Sequence, residues 1–99
     1  MLGTVVYEWD PEKARANLQK HGVSFEEAAS VFLDPLALTF SDPDHSDEEQ
    51  REITIGNSEK DRVVIVAHCP RGGRTRVFSA REVTRKERNQ YEEGVGEQG

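Results

Sequence analysis

The sequence lacks most features that mark exported, membrane-bound or disulfide-rich proteins. Its only cysteine is Cys69, so an internal disulfide is excluded. It contains no apolar run long enough to cross a bilayer and no basic segment followed by an apolar leader. We therefore expect a cytoplasmic protein that makes no membrane contact.

Metal and cofactor signatures are also missing. His21, His45, His68 and Cys69 do not have the spacing of a zinc site, and the chain has no glycine-rich phosphate loop. We expect neither a metal nor a cofactor. With 99 residues and 34% apolar content, the chain should form one domain, residues 1–99, with a small core.

Charge is unevenly distributed along the chain, whose net charge is −6. Asp42 to Gln50 holds five acidic residues and no basic one, whereas Arg51 to Tyr91 holds ten basic and five acidic residues, a local charge of +5. A basic patch attracts a polyanion even when the whole protein is acidic. An uneven soluble surface with no such ligand is the alternative.

The N-terminal part predicts two helices joined by a tight turn. Asp10 is a suitable N-cap before Pro11 at the first helical position, and Gly22 can end that helix. Ser24 and Glu27 then form a capping box for a second helix. This order of caps fixes both helices from local sequence alone.

Five segments have the composition or alternation of β-strands, and the last three should form an antiparallel meander. One segment is continuously apolar, as a central strand would be. A capping box of Thr84 and Glu87 opens a final helix, expected to end near Gly94 before a frayed tail, residues 95–99. The predicted fold is α+β, an antiparallel sheet of four to five strands with two N-terminal helices and one C-terminal helix. The strand segments are Thr4 to Trp9, Leu36 to Phe40, Arg51 to Asn57, Arg62 to Cys69 and Arg74 to Arg81.

Several cationic side chains of the predicted helices and strands suggest contact with phosphate. Lys13, Asn17 and Lys20 recur at helical spacing, although a solvated helix face would show the same pattern. In a regular strand, Arg76 and Arg81 would lie on opposite faces, so both can serve one site only if the strand has a bulge or an edge position.

Three side chains are candidate proton carriers. His21 and His68 titrate nearest neutral pH, but a helix-end residue and a hydrogen-bonded core residue are the respective alternatives. Glu87 can act as a general base, although its place in the capping box already explains it.

Many spaced residues of the chain resemble the BrnT family of bacterial toxins. The resemblance covers about Tyr7 to Tyr91. It rests on Trp9-Asp10-Pro11, Lys13, Ala14, Asn17, Leu18, Lys20-His21-Gly22-Val23, Phe25-Glu26-Glu27-Ala28, Val31-Phe32, Arg51, Ile55-Gly56, His68, Ser79-Ala80-Arg81, Lys86-Glu87-Arg88 and Tyr91.

This resemblance implies a RelE-like fold and a toxin that cleaves RNA without a metal, so that translation stops. It also implies a cognate antitoxin, a dimeric ribbon-helix-helix protein of the BrnA type, that binds the toxin and represses their operon. The implied catalytic residues are His21, Arg51, Arg81 and Glu87, and the implied RNA-binding residues are Lys13, Lys20, Arg76 and Arg88.

A non-catalytic binding module, a degenerate toxin kept as antitoxin partner and co-repressor, is the alternative. Direct DNA binding is disfavoured because the second helix would present Glu26 and Glu27 to phosphates. Operator DNA should therefore be reached only through the antitoxin.

Overall fold

The computed structural model describes residues 5–42 and 50–98, and in residues 94–98 it describes the backbone alone. The described residues form five strands, three α-helices and one short 3₁₀ turn. In chain order these are β1 (Tyr7–Glu8), α1 (Pro11–His21), α2 (Phe25–Ser30), the 3₁₀ turn (Val31–Leu33), β2 (Leu38–Ser41), β3 (Glu52–Asn57), β4 (Val63–Arg71), β5 (Arg74–Glu82) and α3 (Arg85–Gln98).

The strands form one sheet in the order β1-β5-β4-β3-β2, so β4 is central as predicted. Strands β2 to β5 pair antiparallel, but β1 runs parallel to β5. The fold is α+β as predicted, and the expectation of a purely antiparallel sheet is wrong. A parallel partner requires a long crossover connection, and the chain between β1 and β5 supplies it.

Helix α1 begins and ends at the predicted residues. The Asp10 carboxylate accepts the backbone N–H of Glu12 at 2.9 Å. Gly22 closes the helix in a left-handed conformation, φ 71°, and its N–H donates to the Leu18 carbonyl at 2.9 Å. Both caps are local interactions, which explains why sequence alone predicted them.

The two faces of the sheet are covered by different helices. On the back face, α1 and α2 cover a core that includes Phe25, Val66 and Ala80. On the front face, a smaller cluster joins Ile55 and Val63 to Tyr91 of α3.

Helix α2 shows only half of its predicted capping box. The Ser24 hydroxyl accepts the N–H of Glu27 at 3.0 Å. The Glu27 carboxylate is instead fully buried and bonds to Arg62 and Ser58. A guanidinium offers stronger, charge-assisted hydrogen bonds than a single backbone N–H.

Strand β3 was predicted to have one buried face, and the structure buries both. Thr54 and Gly56 lie on the back face, each with less than a tenth of its surface exposed. A Cβ added at Gly56 would lie 2.9 Å from the Cβ of Ala37. The segment that follows α2 packs against the back of this strand. The alternation of residues within β3 cannot predict this tertiary contact.

A β-bulge interrupts β5. Ser79 pairs with Ala67 and Val77 pairs with His68, which leaves Phe78 without a partner on β4. One extra residue reverses the alternation. Val77 and Ala80 therefore both enter the back core.

Helix α3 has the complete capping box that α2 lacks. The Thr84 hydroxyl accepts the N–H of Glu87 at 3.2 Å, and the Glu87 carboxylate accepts the N–H of Thr84 at 2.8 Å. The helix continues to Gln98, so its predicted end near Gly94 is wrong. Thr4 of the first predicted strand, residues 43–49 of the acidic loop and Gly99 of the tail lie outside the described residues.

Candidate functional site

Arg81 and Glu87 form a bidentate ion pair on the front face. Arg81 Nη1 donates to Glu87 Oε1 at 2.8 Å, and Nη2 donates to Oε2 at 2.9 Å. The Arg81 guanidinium and the Thr84 N–H lower the pKa of Glu87 to about 2. In return, Glu87 raises the pKa of Arg81. At neutral pH both groups are charged, and the carboxylate is a weak base while this pair persists.

Arg51 is held against an aromatic ring. Its guanidinium carbon lies 4.1 Å from the centroid of the Phe78 ring, a cation–π contact. Arg51 directly precedes β3, and Phe78 belongs to β5, with β4 between these two strands. Arg51 therefore reaches across the central strand to contact the ring.

The bulge at Phe78 brings Arg76 to the same face as Arg81. Because Val77 and Ala80 both point backward, their neighbours Arg76 and Arg81 both point forward. Arg76 Nη1 lies 2.7 Å from Glu8 Oε2. Strand β5 therefore has the bulge that Arg76 and Arg81 need if both are to serve one site.

The two lysines lie elsewhere. Helix α1 packs on the back face, and Lys13 and Lys20 are exposed on it. Asn17 is buried: its amide donates to the carbonyls of Val23 and Ala80 and accepts the N–H of Ala80. The prediction that Asn17 shares a solvent-facing surface with the lysines is wrong, because this amide joins α1 to β5.

Neither histidine joins the front-face arginines. His21 is exposed at the end of α1, the helix that packs on the back face, whereas Arg51 and Arg81 lie on the front face. His68 is buried on the back face, 2.7 Å from the Thr54 hydroxyl, and its ring lies edge-on to Phe32. Burial lowers the pKa of His68. These positions match the alternatives of a helix-end residue and a core residue, and the catalytic role of His21 stays a prediction.

An apolar groove of about 260 Å³ adjoins the Arg81–Glu87 pair. It lies between α3 and the front face of β2, β3 and β4. Its lining consists of Leu38, Phe40, Ile55, Ile65, Glu87, Gln90 and Tyr91. Sequence reasoning missed both this groove and Phe78, since each depends on contacts between distant strands.

The remaining candidates have ordinary partners. Arg88 forms an exposed ion pair with Glu92 one turn along α3, at 3.0 Å. Tyr7 and Trp9 are half-buried and contact the rings of Phe32 and Phe25. Phe40 is largely exposed, at 52%.

The described residues offer neither a metal-ligand cluster nor a membrane-spanning helix. In residues 5–42 and 50–98, no group of three or more His, Cys, Asp or Glu side chains is placed to hold a metal ion. Across the same ranges, no helix has the length and apolar character needed to span a bilayer.

A mixed five-stranded sheet with arginines gathered on one face and helices on both defines a small α+β protein with a cationic sheet surface. The model of one family, described as ribonuclease toxin, BrnT, of type II toxin-antitoxin system, matches residues 9–87. The chain belongs to this family of ribonuclease toxins. Membership implies an antitoxin partner.

A solved structure shares the fold. The crystal structure of the Brucella abortus ribonuclease toxin BrnT matches with a TM-score of 0.66 and 24% sequence identity, over 83% of this chain and 100% of that chain. No protein with a curated description matches the chain. The RelE-like assignment of the fold stays a prediction.

Proposed function

We propose that this chain is an endoribonuclease that cleaves RNA and thereby inhibits translation. The carrying observation is the Arg81–Glu87 pair, which places a bidentate phosphate ligand beside a carboxylate on one sheet face. Arg51, held over Phe78, supplies a second cation on that face. Family membership supports the same activity.

In the proposed reaction, the phosphate of the RNA competes with Glu87 for Arg81. Drawing the guanidinium away removes the largest cause of the low pKa of Glu87, so the carboxylate becomes a stronger base. It then takes the proton of the 2′-hydroxyl, whose oxygen attacks phosphorus while the bond to the 5′ oxygen breaks. Water returns a proton to that leaving oxygen. Because the nucleophile belongs to the RNA, this route uses no metal ion.

Arg81 and Arg51 stabilise the charge that develops on the phosphate oxygens. Loss of one such donor costs roughly 10²-fold or more in rate. Arg76 would contact RNA further along β5 after release from its ion pair with Glu8. Lys13, Lys20 and Arg88 are exposed, and they would contact only an RNA long enough to extend around the domain.

Regulation in this proposal follows the family. The partner is a BrnA-like ribbon-helix-helix antitoxin, whose dimer neutralises the toxin and carries it to operator DNA. The complex forms in the cytoplasm.

The test uses purified protein, free of antitoxin, and RNA in the presence of a chelator. Wild-type protein should cleave the RNA, and Arg81→Ala should lose roughly 10²-fold or more in rate. Glu87→Gln should cleave slowly yet bind RNA at least as tightly, because it frees Arg81 from its ion pair. Arg15→Ala, on exposed α1, is the matched control and should retain the wild-type rate.

Intact RNA in both chelator and metal-supplemented reactions would contradict the proposal. The non-catalytic binding module would then be the better explanation, provided that the folded protein still binds its antitoxin.

A further inference from the structure

The apolar groove has a floor set by the sheet register. Leu38 pairs with Ile55, Ile55 with Ile65, and Ile65 with Arg81, so these four residues form one row across the front face. Neighbouring strands lie about 4.8 Å apart. An occupant resting on the two isoleucines is therefore roughly 5–10 Å from the Arg81 position, one to two strands away.

The groove has an aromatic wall at each side. Phe40, on β2, is 52% exposed. Tyr91, on α3, is only 6% exposed, and its hydroxyl donates to the Asp34 carboxylate at 3.1 Å. That bond holds the Tyr91 ring in place, whereas the Phe40 side chain is accessible to a ligand in the groove.

Polar groups stand along the α3 rim. Glu87 and Gln90 are three residues apart and so share one side of the helix. Both line the groove, and Gln90 is exposed with a carboxamide that can donate and accept. Glu87 also contacts Arg81, so the apolar groove ends at a cation that binds anions bidentately.

We propose that this groove binds one base of the RNA, the base adjoining the phosphate held by Arg81. Phe40 stacks on the base, and Gln90 contacts its edge. The proposal rests on the proposed ribonuclease function and adds a base subsite to it. A flat apolar slot beside an anion-binding arginine matches a nucleotide, which carries a base and a phosphate on every unit.

The choice of occupant follows from charge. An apolar side chain from a protein partner would also fit the isoleucine floor, but it would use neither the Arg81 guanidinium, which a phosphate can draw away from Glu87, nor the exposed Gln90 carboxamide. A nucleotide satisfies the floor, the rim and the cation together. Stacking tolerates any base, so the edge contact at Gln90 sets the preference among the four.

The experiment measures binding of short single-stranded RNAs whose 2′ oxygens are methylated, which blocks the nucleophile and prevents cleavage. Each RNA is paired with an abasic version of the same backbone. Wild-type protein should bind the base-containing RNA more tightly. Phe40→Ala should lose about 30-fold of that preference, the middle of the range for removing a stacking ring. Phe40→Tyr should retain it.

A matched control comes from the same surface type. Leu33→Ala removes an apolar side chain that is 81% exposed and lies outside the groove. It should change neither the affinity for base-containing RNA nor the affinity for abasic RNA. Gln90→Ala should alter the ranking of adenine, cytosine, guanine and uracil RNAs while leaving binding of the abasic RNA unchanged.

Two results would overturn the subsite while sparing the proposed function. The first is a wild-type protein that cleaves RNA but binds base-containing and abasic RNA equally. The second is Phe40→Ala that keeps wild-type RNA binding but no longer binds its antitoxin, which would assign the groove to a protein partner. A wild-type protein that binds no RNA would overturn both proposals.

Discussion

Replacing Arg62 with Met should strongly destabilise the protein, because it leaves a buried carboxylate without its cation. Glu27 has no exposed surface. Arg62 donates to it from Nε at 2.7 Å and from Nη2 at 2.6 Å, and the Ser58 hydroxyl donates at 2.7 Å. In Arg62→Met only the Ser58 bond would remain.

The expected loss of stability in Arg62→Met depends on how deeply Glu27 and Arg62 are buried. Breaking a buried ion pair costs about 3–5 kcal/mol. The Arg62 side chain is 27% exposed, so water can partly replace it, and we expect the lower end, about 3 kcal/mol. In a domain of this size that corresponds to roughly 12 °C or more in melting temperature.

Urea unfolding followed by circular dichroism measures this change. Arg88→Met is the matched control: it removes the Arg88–Glu92 pair, whose side chains are each 56% exposed, and should cost at most about 0.5 kcal/mol. Arg62→Met combined with Glu27→Gln should recover part of the loss, since no buried charge remains. Equal stability of Arg62→Met and Arg88→Met would refute the reasoning.

The pH dependence gives a second check on the same pair. The Arg62 guanidinium lowers the pKa of the Glu27 carboxyl below its ordinary value. A lowered carboxyl pKa contributes stability that is present above the unfolded pKa and is lost as pH falls through the folded one. The difference in free energy of unfolding between wild type and Arg62→Met should therefore become smaller as the pH falls.

Further variants test other contacts. Gly56→Ala should destabilise by about 1–3 kcal/mol in urea unfolding, because the added Cβ would lie 2.9 Å from that of Ala37. Asn17→Ala should cost about 1–3 kcal/mol by the same assay, since it leaves buried backbone groups of Ala80 and Val23 unpaired. His21→Ala should leave the rate of RNA cleavage unchanged, because His21 ends the helix that packs on the back face and the arginines lie on the front face. A loss of roughly 10²-fold or more in rate would restore its predicted role. Glu87→Gln should reduce acid destabilisation between about pH 4.5 and 2, because over this interval the unfolded wild-type chain protonates Glu87 while the folded protein keeps it ionised. Fluorescence during acid titration measures this change.

Sequence predicted the elements that local interactions determine. The caps of α1 at Asp10 and Gly22 and the capping box of α3 involve groups at most four residues apart. The long apolar run of β4 likewise indicated a central strand before any partner was known.

The predictions that proved wrong concern residues whose contacts lie far away in the sequence. Glu27 leaves its capping box for Arg62, which is 35 residues away, and Asn17 turns inward to Ala80, which is 63 residues away. The bulge at Phe78 depends on how β5 pairs with β4. Because that bulge decides which arginines share a face, the candidate site was predicted as residue types but not as an arrangement.

The resting front face is less cationic than its arginines suggest, because Glu8 and Glu87 already neutralise Arg76 and Arg81. An incoming phosphate must displace a carboxylate in each case. Glu87 cannot withdraw far, since the Thr84 N–H also holds it at 2.8 Å as part of the helix cap. Arg81, on a longer side chain that is 42% exposed, is the partner free to move. Binding of RNA should therefore shift the arginine toward the phosphate and leave the carboxylate in place, next to the 2′-hydroxyl that it is proposed to deprotonate.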